Sequence, residues 1–290
     1  MKVYPECVPC FALQALRTTD LTTRDETLRW EILIEACRKI ATFKPGMKPV
    51  EMAEIIYPLV GERTGVPDPY AAIRHETNLH ALSLYPFFQA LVEENHDPIR
   101  AAVKLAIIGN SIDFGVPHNH LASLKSEALS LLHEPLAIDH TPQLVEALEG
   151  ADSLLLLADN SGEIVLDRLL LETIRVFYPD LKMTVAVREV PIINDVTLED
   201  VKEAGIPPEI RAVSSGNRTP GVILAKASAD FLEFYKKTDI ILSKGQGNYE
   251  GLSDDADERV YFLFRAKCPI IARHVGAPEG AMIVKQGGES

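Results

Sequence analysis

The sequence contains few cysteines and no long apolar run. Only 4 of its 290 residues are cysteine, which is too few for a disulfide-stabilised scaffold of this length. The most continuous apolar segment, residues 154–158, is much shorter than the roughly 18 residues that a membrane-spanning helix needs. The N-terminal segment MKVYPECVPC also lacks the apolar core and the cleavage site of a secretory signal. We therefore expect a cytoplasmic protein with reduced thiols and no membrane partner.

Basic residues are also scarce. The chain has 29 Lys and Arg residues against 42 Asp and Glu residues, which gives a formal net charge of −13. Proteins that bind nucleic-acid backbones need clustered positive charge, so this balance argues against a nucleic-acid partner. The remaining composition, with 47% hydrophobic and 24% charged residues, is typical of a globular protein with a substantial core.

The pattern of apolar residues divides the chain near residue 150. Before this point apolar residues recur three and four positions apart, as at Trp30, Ile34 and Cys37, which predicts helices. Residues 22–23, 97–98 and 141–142 place capping or first-turn residues at or near the starts of such helices. We therefore predict an all-helical N-terminal domain over residues 1–150.

After residue 150, short apolar runs alternate with helical segments. This alternation predicts an α/β fold over residues 151–290, a Rossmann-like, mostly parallel sheet with helices on both faces. Ligands of such sheets bind outside the carboxyl ends of the strands, so the residues that follow each strand are the candidates for a site. The predicted strands cover residues 154–158, 183–187, 210–213, 240–242 and 260–264, with helices over 164–177 and 224–235.

Two segments that follow neighbouring strands predict a metal site. Asp159 and Asn160 of DNSGE supply hard oxygen ligands, and the following helix offers free backbone N–H groups to an anion. NDVT follows the second strand, so right-handed crossovers place Asp195 beside Asp159. Three oxygen ligands from two adjacent loops suit Mg²⁺ or Mn²⁺. Helix capping is the alternative explanation of both segments, and the sequence leaves it open.

The fourth predicted strand runs into the segment KGQGNYEG. Lys244 supplies a point charge for phosphate, and the glycines let the backbone approach a ligand closely. The segment matches neither the P-loop nor the dinucleotide-binding glycine pattern. Both a phosphate cradle and a plain flexible loop are consistent with it. The candidate substrate-binding residues of this segment are Lys244, Gly245, Gln246, Gly247 and Asn248. Lys267, which follows the last predicted strand, is a further candidate.

Two further segments carry candidate residues. GNSID ends a strongly apolar helix, and it is either a C-cap and turn or a loop whose Asn110 and Asp113 complete the pocket. Cys7 and Cys10 form a single CxxC without the further ligands of a structural zinc site or the preceding strand of a redox motif. The role of the two cysteines stays unassigned.

The motifs CVPC, GNSID, DNSGE, NDVT and KGQGNYE occur in this order along essentially the whole chain. The ordered set resembles the metal-dependent damage-control phosphatase family, formerly a domain of unknown function. CVPC resembles the mark of the prokaryotic CxxC-bearing subfamily. The resemblance implies helices before an α/β part, and removal of phosphate from damaged or unwanted metabolites such as purine nucleotides or sugar phosphates.

The resemblance also implies one divalent metal ion held by Asp159, Asn160 and Asp195. Mn²⁺ and Ni²⁺ are expected first, and Co²⁺ and Mg²⁺ are the other candidates. The family's phosphate-contacting lysine and glycine loop correspond to Lys244 and the residues after it. Lys267 matches a further phosphate-binding lysine only in part, because the segment RAK is one residue shorter than the motif RTxK and has Ala for Thr.

Residues and resemblance together predict a hydrolase that acts on phosphomonoesters. A metal ion polarises the phosphoryl oxygen and lowers the pKa of a bound water, while Lys244 and loop N–H groups stabilise the developing charge. We expect metal-activated water to attack phosphorus, with Asp159 and Asp195 at the metal and Asp113 or Glu163 positioning water or substrate. An aspartyl-phosphate intermediate on Asp159 is the alternative route.

Two other functions remain open from the sequence. A non-catalytic sensor of metal or nucleotide would need the same ligands as a slow enzyme. A Rossmann-like group-transfer enzyme is weakened by the missing glycine-rich signature after the first strand. Metal-dependent release of phosphate would separate the phosphatase from both.

Overall fold

The computed structural model describes residues 1–109 and 121–288. The chain begins with helices, and within the described residues none of the helices is long and apolar enough to cross a membrane. The helices before the sheet are α1 (Cys7–Thr22), α2 (Glu26–Ile40), α3 (Ala53–Thr64), α4 (Ala71–Glu93), α5 (Pro98–Ile108) and α6 (Leu121–His133).

A seven-stranded sheet follows, in the order β1-β7-β6-β5-β2-β3-β4. Its strands are β1 (Ile138–Asp139), β2 (Ser153–Leu157), β3 (Lys182–Val187), β4 (Arg211–Ser214), β5 (Ile240–Lys244), β6 (Val260–Arg265) and β7 (Met282–Gln286). Neighbouring strands are parallel except for β6 and β7, which confirms the predicted mostly parallel α/β fold. The remaining helices are α7 (Thr141–Glu149), α8 (Glu163–Phe177), α9 (Leu198–Glu203), α10 (Ala229–Lys237), α11 (Gly245–Leu252) and α12 (Pro269–Val275).

Both faces of the sheet are buried. Leu154 and Leu156 of β2 pack in an apolar cluster with α4, α5 and α8, whereas Leu155 and Leu157 pack on the other face with α10, α11 and α12. This alternation is the two-residue period of a strand that is covered on both sides. Because α4 and α5 precede residue 150 and share a cluster with β2, the helical part and the sheet meet in one core. The division into domains at residue 150 stays a prediction.

Local sequence fixes several helix starts. The side chain of Asp97 accepts a hydrogen bond from the N–H of Arg100, and Pro98 occupies the first turn of α5, as predicted. The expected start at residues 22–23 is wrong, because residue 22 ends α1. Asp25 caps α2 instead, since its carboxylate accepts hydrogen bonds from the N–H groups of residues 27 and 28.

Three other details differ from the sequence prediction. The glycine-rich segment after β5 is helical from its first glycine, Gly245, and forms α11. The short strand β1 and the strand β7 were not predicted. On α2 the buried residues include Ile32 and Ala36, while Trp30 is 66% exposed, so the apolar face is rotated from the one that the sequence suggested.

Candidate functional site

Asp159, Asn160 and Asp195 lie together at the carboxyl edge of the sheet. Asn160 and Asp195 form an isolated antiparallel bridge between the loops after β2 and β3. The N–H of Ser161 donates to the carbonyl of Asn194 at 2.8 Å, and the N–H of Val196 donates to the carbonyl of Asp159 at 2.9 Å. Backbone bonds therefore fix the spacing of the predicted metal ligands.

Helix capping does not explain these polar side chains. The N-cap of α8 is Gly162, with no side-chain hydrogen bond at the cap and a φ of +76° that favours glycine. At α9 the capping residue is Thr197, which forms a capping box with Asp200. Neither Asp159 nor Asp195 caps its following helix, so both carboxylates are left for another role.

Helix α4 holds the loop after β2 in place. The side-chain oxygen of Asn78 accepts a hydrogen bond from the N–H of Gly162 at 2.7 Å, and the hydroxyls of Thr77 and Ser161 lie 3.0 Å apart. Arg74 donates to the carbonyl of Ile193 at 3.2 Å in the loop after β3. The helical part of the chain thus fixes both loops of the site.

Asp195 is buried in a strongly negative environment. Its Oδ2 accepts a hydrogen bond from Nε of Arg188 at 2.7 Å, whereas its Oδ1 is buried without a hydrogen-bond partner in the described structure. Burial raises the pKa of Asp195 to about 8, and the nearby carboxylates of Asp159 and Glu163 act in the same direction against Arg188. The site therefore favours a proton or another cation beside Asp195.

Lys244 lies beneath the site, at the end of β5, and is fully buried. Its ammonium donates to Glu163 and to the carbonyl of Ala106, the latter at 2.8 Å, and lies 2.7 Å from Oδ1 of Asp167. Burial lowers the pKa of Lys244, but the carboxylates of Asp167 and Glu163 outweigh it and raise the pKa above its usual value. Burial raises the pKa of Asp167 to about 7.

Glu163 links Lys244 to the predicted metal ligands. The amide nitrogen of Asn160 donates to Oδ2 of Asp159 at 2.8 Å and lies 3.3 Å from Oε2 of Glu163. These contacts turn the amide nitrogen of Asn160 toward the carboxylates. Both contacts use the amide nitrogen of Asn160 and not its amide oxygen.

The glycines of α11 serve close packing. A Cβ at Gly247 would lie 1.8 Å from the carbonyl oxygen of Pro220, and one at Gly251 would lie 2.1 Å from that of Val222. Asn248 is equally structural, because its side chain binds the N–H of Val222 and the carbonyls of residues 157, 158 and 244. Among the described residues, this segment is therefore a packed helix start.

A cavity of about 700 Å³ opens over the site, within the usual size range of small-molecule pockets. It lies between the sheet edge, α1, the start of α3, α4, α11 and α12. Gln246, Gly247 and Lys267 line it, whereas Lys244, Gly245 and Asn248 do not. The predicted metal ligands Asp159, Asn160 and Asp195 also line the cavity, together with Cys7, Cys10, Glu250 and Cys268.

Two predicted residues lie outside the described structure, and two residues of the observed site were not predicted. Asn110 and Asp113 lie outside the described residues. Sequence reasoning missed Arg188 and Asp167, although Arg188 directly follows a predicted strand, which is a usable signal. Among residues 1–109 and 121–288, no three His, Cys, Asp or Glu side chains are arranged to hold a metal ion; the predicted set has two carboxylates and one amide.

Comparisons with known proteins identify the family. The model of the damage-control phosphatase ARMT1-like domain matches residues 3–283. The damage-control phosphatase PH1575 of Pyrococcus horikoshii is 35% identical over 98% of this chain and 97% of its own length. A damage-control phosphatase of Archaeoglobus fulgidus is 31% identical over 98% of this chain and 99% of its own length.

The fold gives the same relationship. The crystal structure of the Pyrococcus horikoshii protein, described as a DUF89 family protein, superposes with a TM-score of 0.93 and 34% identity, covering 99% of each chain. The assignment to a CxxC-bearing subfamily stays a prediction. The match to the family model, the sequence identity and the shared fold show that this chain belongs to the damage-control phosphatase ARMT1-like family.

Proposed function

We propose that this protein is a metal-dependent phosphatase that hydrolyses phosphomonoesters of damaged or unwanted metabolites. The names of its relatives support a phosphatase in metabolite repair. The observation that carries the metal dependence is a charge imbalance at the carboxyl edge of the sheet. Four buried carboxylates meet two buried cations there, namely Asp159, Glu163, Asp167 and Asp195 with Arg188 and Lys244.

The residues of this corner fit a divalent cation. With all groups ionised, two negative charges remain uncompensated, and Oδ1 of Asp195 is a buried oxygen without a hydrogen-bond partner in the described structure. Asp159, Asn160 and Asp195 offer only oxygen, the donor that Mg²⁺ and Mn²⁺ prefer; Ni²⁺ and Co²⁺ are the other candidates. Such an ion would supply a Lewis acid and a water of lowered pKa.

The surrounding residues suit the other tasks of phosphoryl transfer. The first N–H groups of α11 have no partner within the helix, and Gln246 and Gly247 line the cavity, so this helix start can hold a phosphoryl group. The exposed Lys267 adds positive charge at the cavity wall. Glu163 holds the amide of Asn160. Asn110 and Asp113 keep their predicted roles toward the substrate.

We favour attack by water over an aspartyl-phosphate intermediate. Oδ2 of Asp159 accepts the hydrogen bond from Asn160 and lies against the backbone of Gly245, so an attack on phosphorus by Oδ2 would require this oxygen to leave both contacts. If Asp159 acts only as a metal ligand, Oδ2 can keep its contacts with Asn160 and Gly245.

Phosphate release from metal-stripped protein tests the proposal. Turnover of p-nitrophenyl phosphate should return when Mn²⁺, Ni²⁺, Co²⁺ or Mg²⁺ is added singly, and Asp159→Ala should abolish most of it while the protein stays folded. Asp180→Ala is the matched control, because Asp180 is exposed at the opposite end of the sheet. Near-full activity of Asp159→Ala would refute the site. Metal binding without turnover of any phosphomonoester would favour the sensor.

A further inference from the structure

Arg188 is a buried arginine that no predicted role includes. It follows β3 directly, is 2% exposed, and donates from Nε to Oδ2 of Asp195 at 2.7 Å. Its Nη2 lies 3.8 Å from Oδ1 of Asp159. Within the described residues, neither Nη1 nor Nη2 has a hydrogen-bond partner.

The position of Arg188 couples the two loops of the site. Its backbone N–H donates to the carbonyl of Val196 at 3.0 Å, next to Asp195, while Val196 donates its own N–H to the carbonyl of Asp159. The guanidinium thus lies between the carboxylates of Asp195 and Asp159, which belong to two loops that backbone hydrogen bonds already join. Because Oδ2 of Asp195 is engaged by Nε, Oδ1 is the oxygen left for a ligand.

Buried unpaired guanidinium nitrogens are costly, so a purely structural arginine would be expected to satisfy them. Arg74 differs in part, because its Nη1 and Nη2 bind both oxygens of Asp68 and a backbone carbonyl, and only its Nε lacks a hydrogen-bond partner in the described structure. The guanidinium of Arg188, by contrast, contacts the carboxylates of Asp195 and Asp159. Groups that orient metal ligands from behind commonly change metal affinity by about 10- to 100-fold when they are altered.

We propose that Arg188 is a positioning residue that sets the metal affinity of the site by holding Asp195, and with it Asp159, in the ligating arrangement. The inference rests on the proposed function only in assuming that these residues bind a divalent cation. The cavity does not include Arg188, so its action passes through the carboxylates and not through the substrate.

Arg188→Lys separates geometry from charge. Lysine keeps the positive charge but has no Nε–H to direct at Asp195, so the local charge is preserved and the orientation is lost. Titration of metal-free protein with Mn²⁺, followed by electron paramagnetic resonance without substrate, should show affinity reduced by about 10- to 100-fold. At saturating Mn²⁺ the KM for p-nitrophenyl phosphate should stay close to the original value.

Arg259→Lys is the matched control. Arg259 also donates from Nε to an aspartate, Asp257, at 2.9 Å, and adds a second hydrogen bond from Nη2 at 2.7 Å. It precedes β6 and lies at the opposite end of the sheet. It should leave Mn²⁺ affinity unchanged. Asp195→Glu tests the contact from the other side, and adding Arg188→Lys to it should cause little further loss, because both act on one contact.

The outcomes distinguish the two proposals. If Arg188→Lys melts at a lower temperature but binds Mn²⁺ with the original affinity, Arg188 is structural and the inference is wrong. If the unmodified protein binds Mn²⁺ and Arg188→Lys weakens that binding while neither releases phosphate, the inference stands and the proposed phosphatase activity fails. Full additivity of Arg188→Lys and Asp195→Glu would also overturn the inference.

Discussion

The carboxylate of Asp159 occupies the space in which Gly245 would carry a side chain. A Cβ at Gly245 would lie 1.8 Å from Oδ2 of Asp159, and Gly245 has a φ of +76°. The contact joins the end of β5 to the loop after β2, across neighbouring strands of the sheet. The first glycine of KGQGN is thus required by the position of a predicted metal ligand.

Gly245→Ala should therefore weaken metal binding more than backbone strain alone explains. The new methyl group would force Asp159 away from Asn160, so Mn²⁺ affinity and phosphate release should both fall by at least about tenfold, as for other disturbed ligand supports. Gly276→Ala is the control, because Gly276 has the same φ of +76° with nothing within 4 Å of its Cβ position. Equal effects of the two variants on Mn²⁺ affinity would contradict the prediction.

Lys244→Met should be strongly destabilising. The change leaves Glu163 and Asp167 as buried carboxylates without their cation, and breaking a buried ion pair in this way costs about 3–5 kcal/mol. Urea denaturation measures the loss in the free energy of unfolding. Adding Asp167→Asn to Lys244→Met should recover part of it, because one unpaired charge is removed.

Lys237→Met controls for the loss of any lysine. Lys237 is exposed and pairs with the exposed Glu233, so its removal should change stability little. If Lys244→Met were as stable as Lys237→Met, the buried cluster would not depend on Lys244.

The sequence predicted those parts of the site that depend on local order. Asp159 and Asp195 come after short apolar runs that the pattern predicts as buried strands, and parallel strands bring their carboxyl ends to one edge. The same logic placed Lys244 at the end of β5. It could not show that Lys244 points into the interior, because its partners on α5 and α8 are distant in sequence.

Residues that depend on tertiary contacts escaped the prediction. Thr77 and Asn78 reach the loop after β2 from α4, and no local pattern marks them. Gly247 and Gly251 suggested either a phosphate cradle or a flexible loop, because glycine permits many conformations. In the structure each lets a backbone carbonyl approach α11. Trp30 was placed on an apolar face because it is apolar, but packing against α1 and α3 selects the other face of α2.

Glu250 should make the stability of the protein depend on pH. Burial raises its pKa from 4.5 to about 7, although Gln246 donates a hydrogen bond to it. Between pH 4.5 and about pH 7, the carboxyl group of Glu250 keeps its proton in the folded protein and loses it in the unfolded chain. The free energy of unfolding therefore decreases as the pH rises from 4.5 to about 7. Asp167 and Asp195 act in the same direction.

Glu250→Gln should flatten this dependence, because the amide does not titrate. Urea denaturation at several pH values across the window measures the slope for each protein. Glu94→Gln, a change at an exposed position on the surface, should leave the slope as it is. An unchanged slope in Glu250→Gln would show that the carboxyl group titrates in the same way in the folded and unfolded chains.

Thiol modification should show that the cavity is the route to the site. Cys7, Cys10 and Cys268 all line it, whereas Cys37 is exposed on α2 outside it. Burial raises the pKa of the Cys7 and Cys10 thiols, so N-ethylmaleimide should react slowly near neutral pH. Once attached, its bulk should block turnover, and the substrate should protect the protein.

The variant in which Cys7, Cys10 and Cys268 are replaced by Ser should keep its activity and resist the reagent, because the predicted metal ligands are Asp159, Asn160 and Asp195 and do not include these thiols. Cys37→Ser should remain as sensitive as the original protein. Mass spectrometry identifies the modified cysteines, and activity measured on the same samples links each one to the loss. Full turnover after complete modification of Cys7 and Cys10 would mean that substrates reach Asp159 and Asp195 by a path that avoids α1.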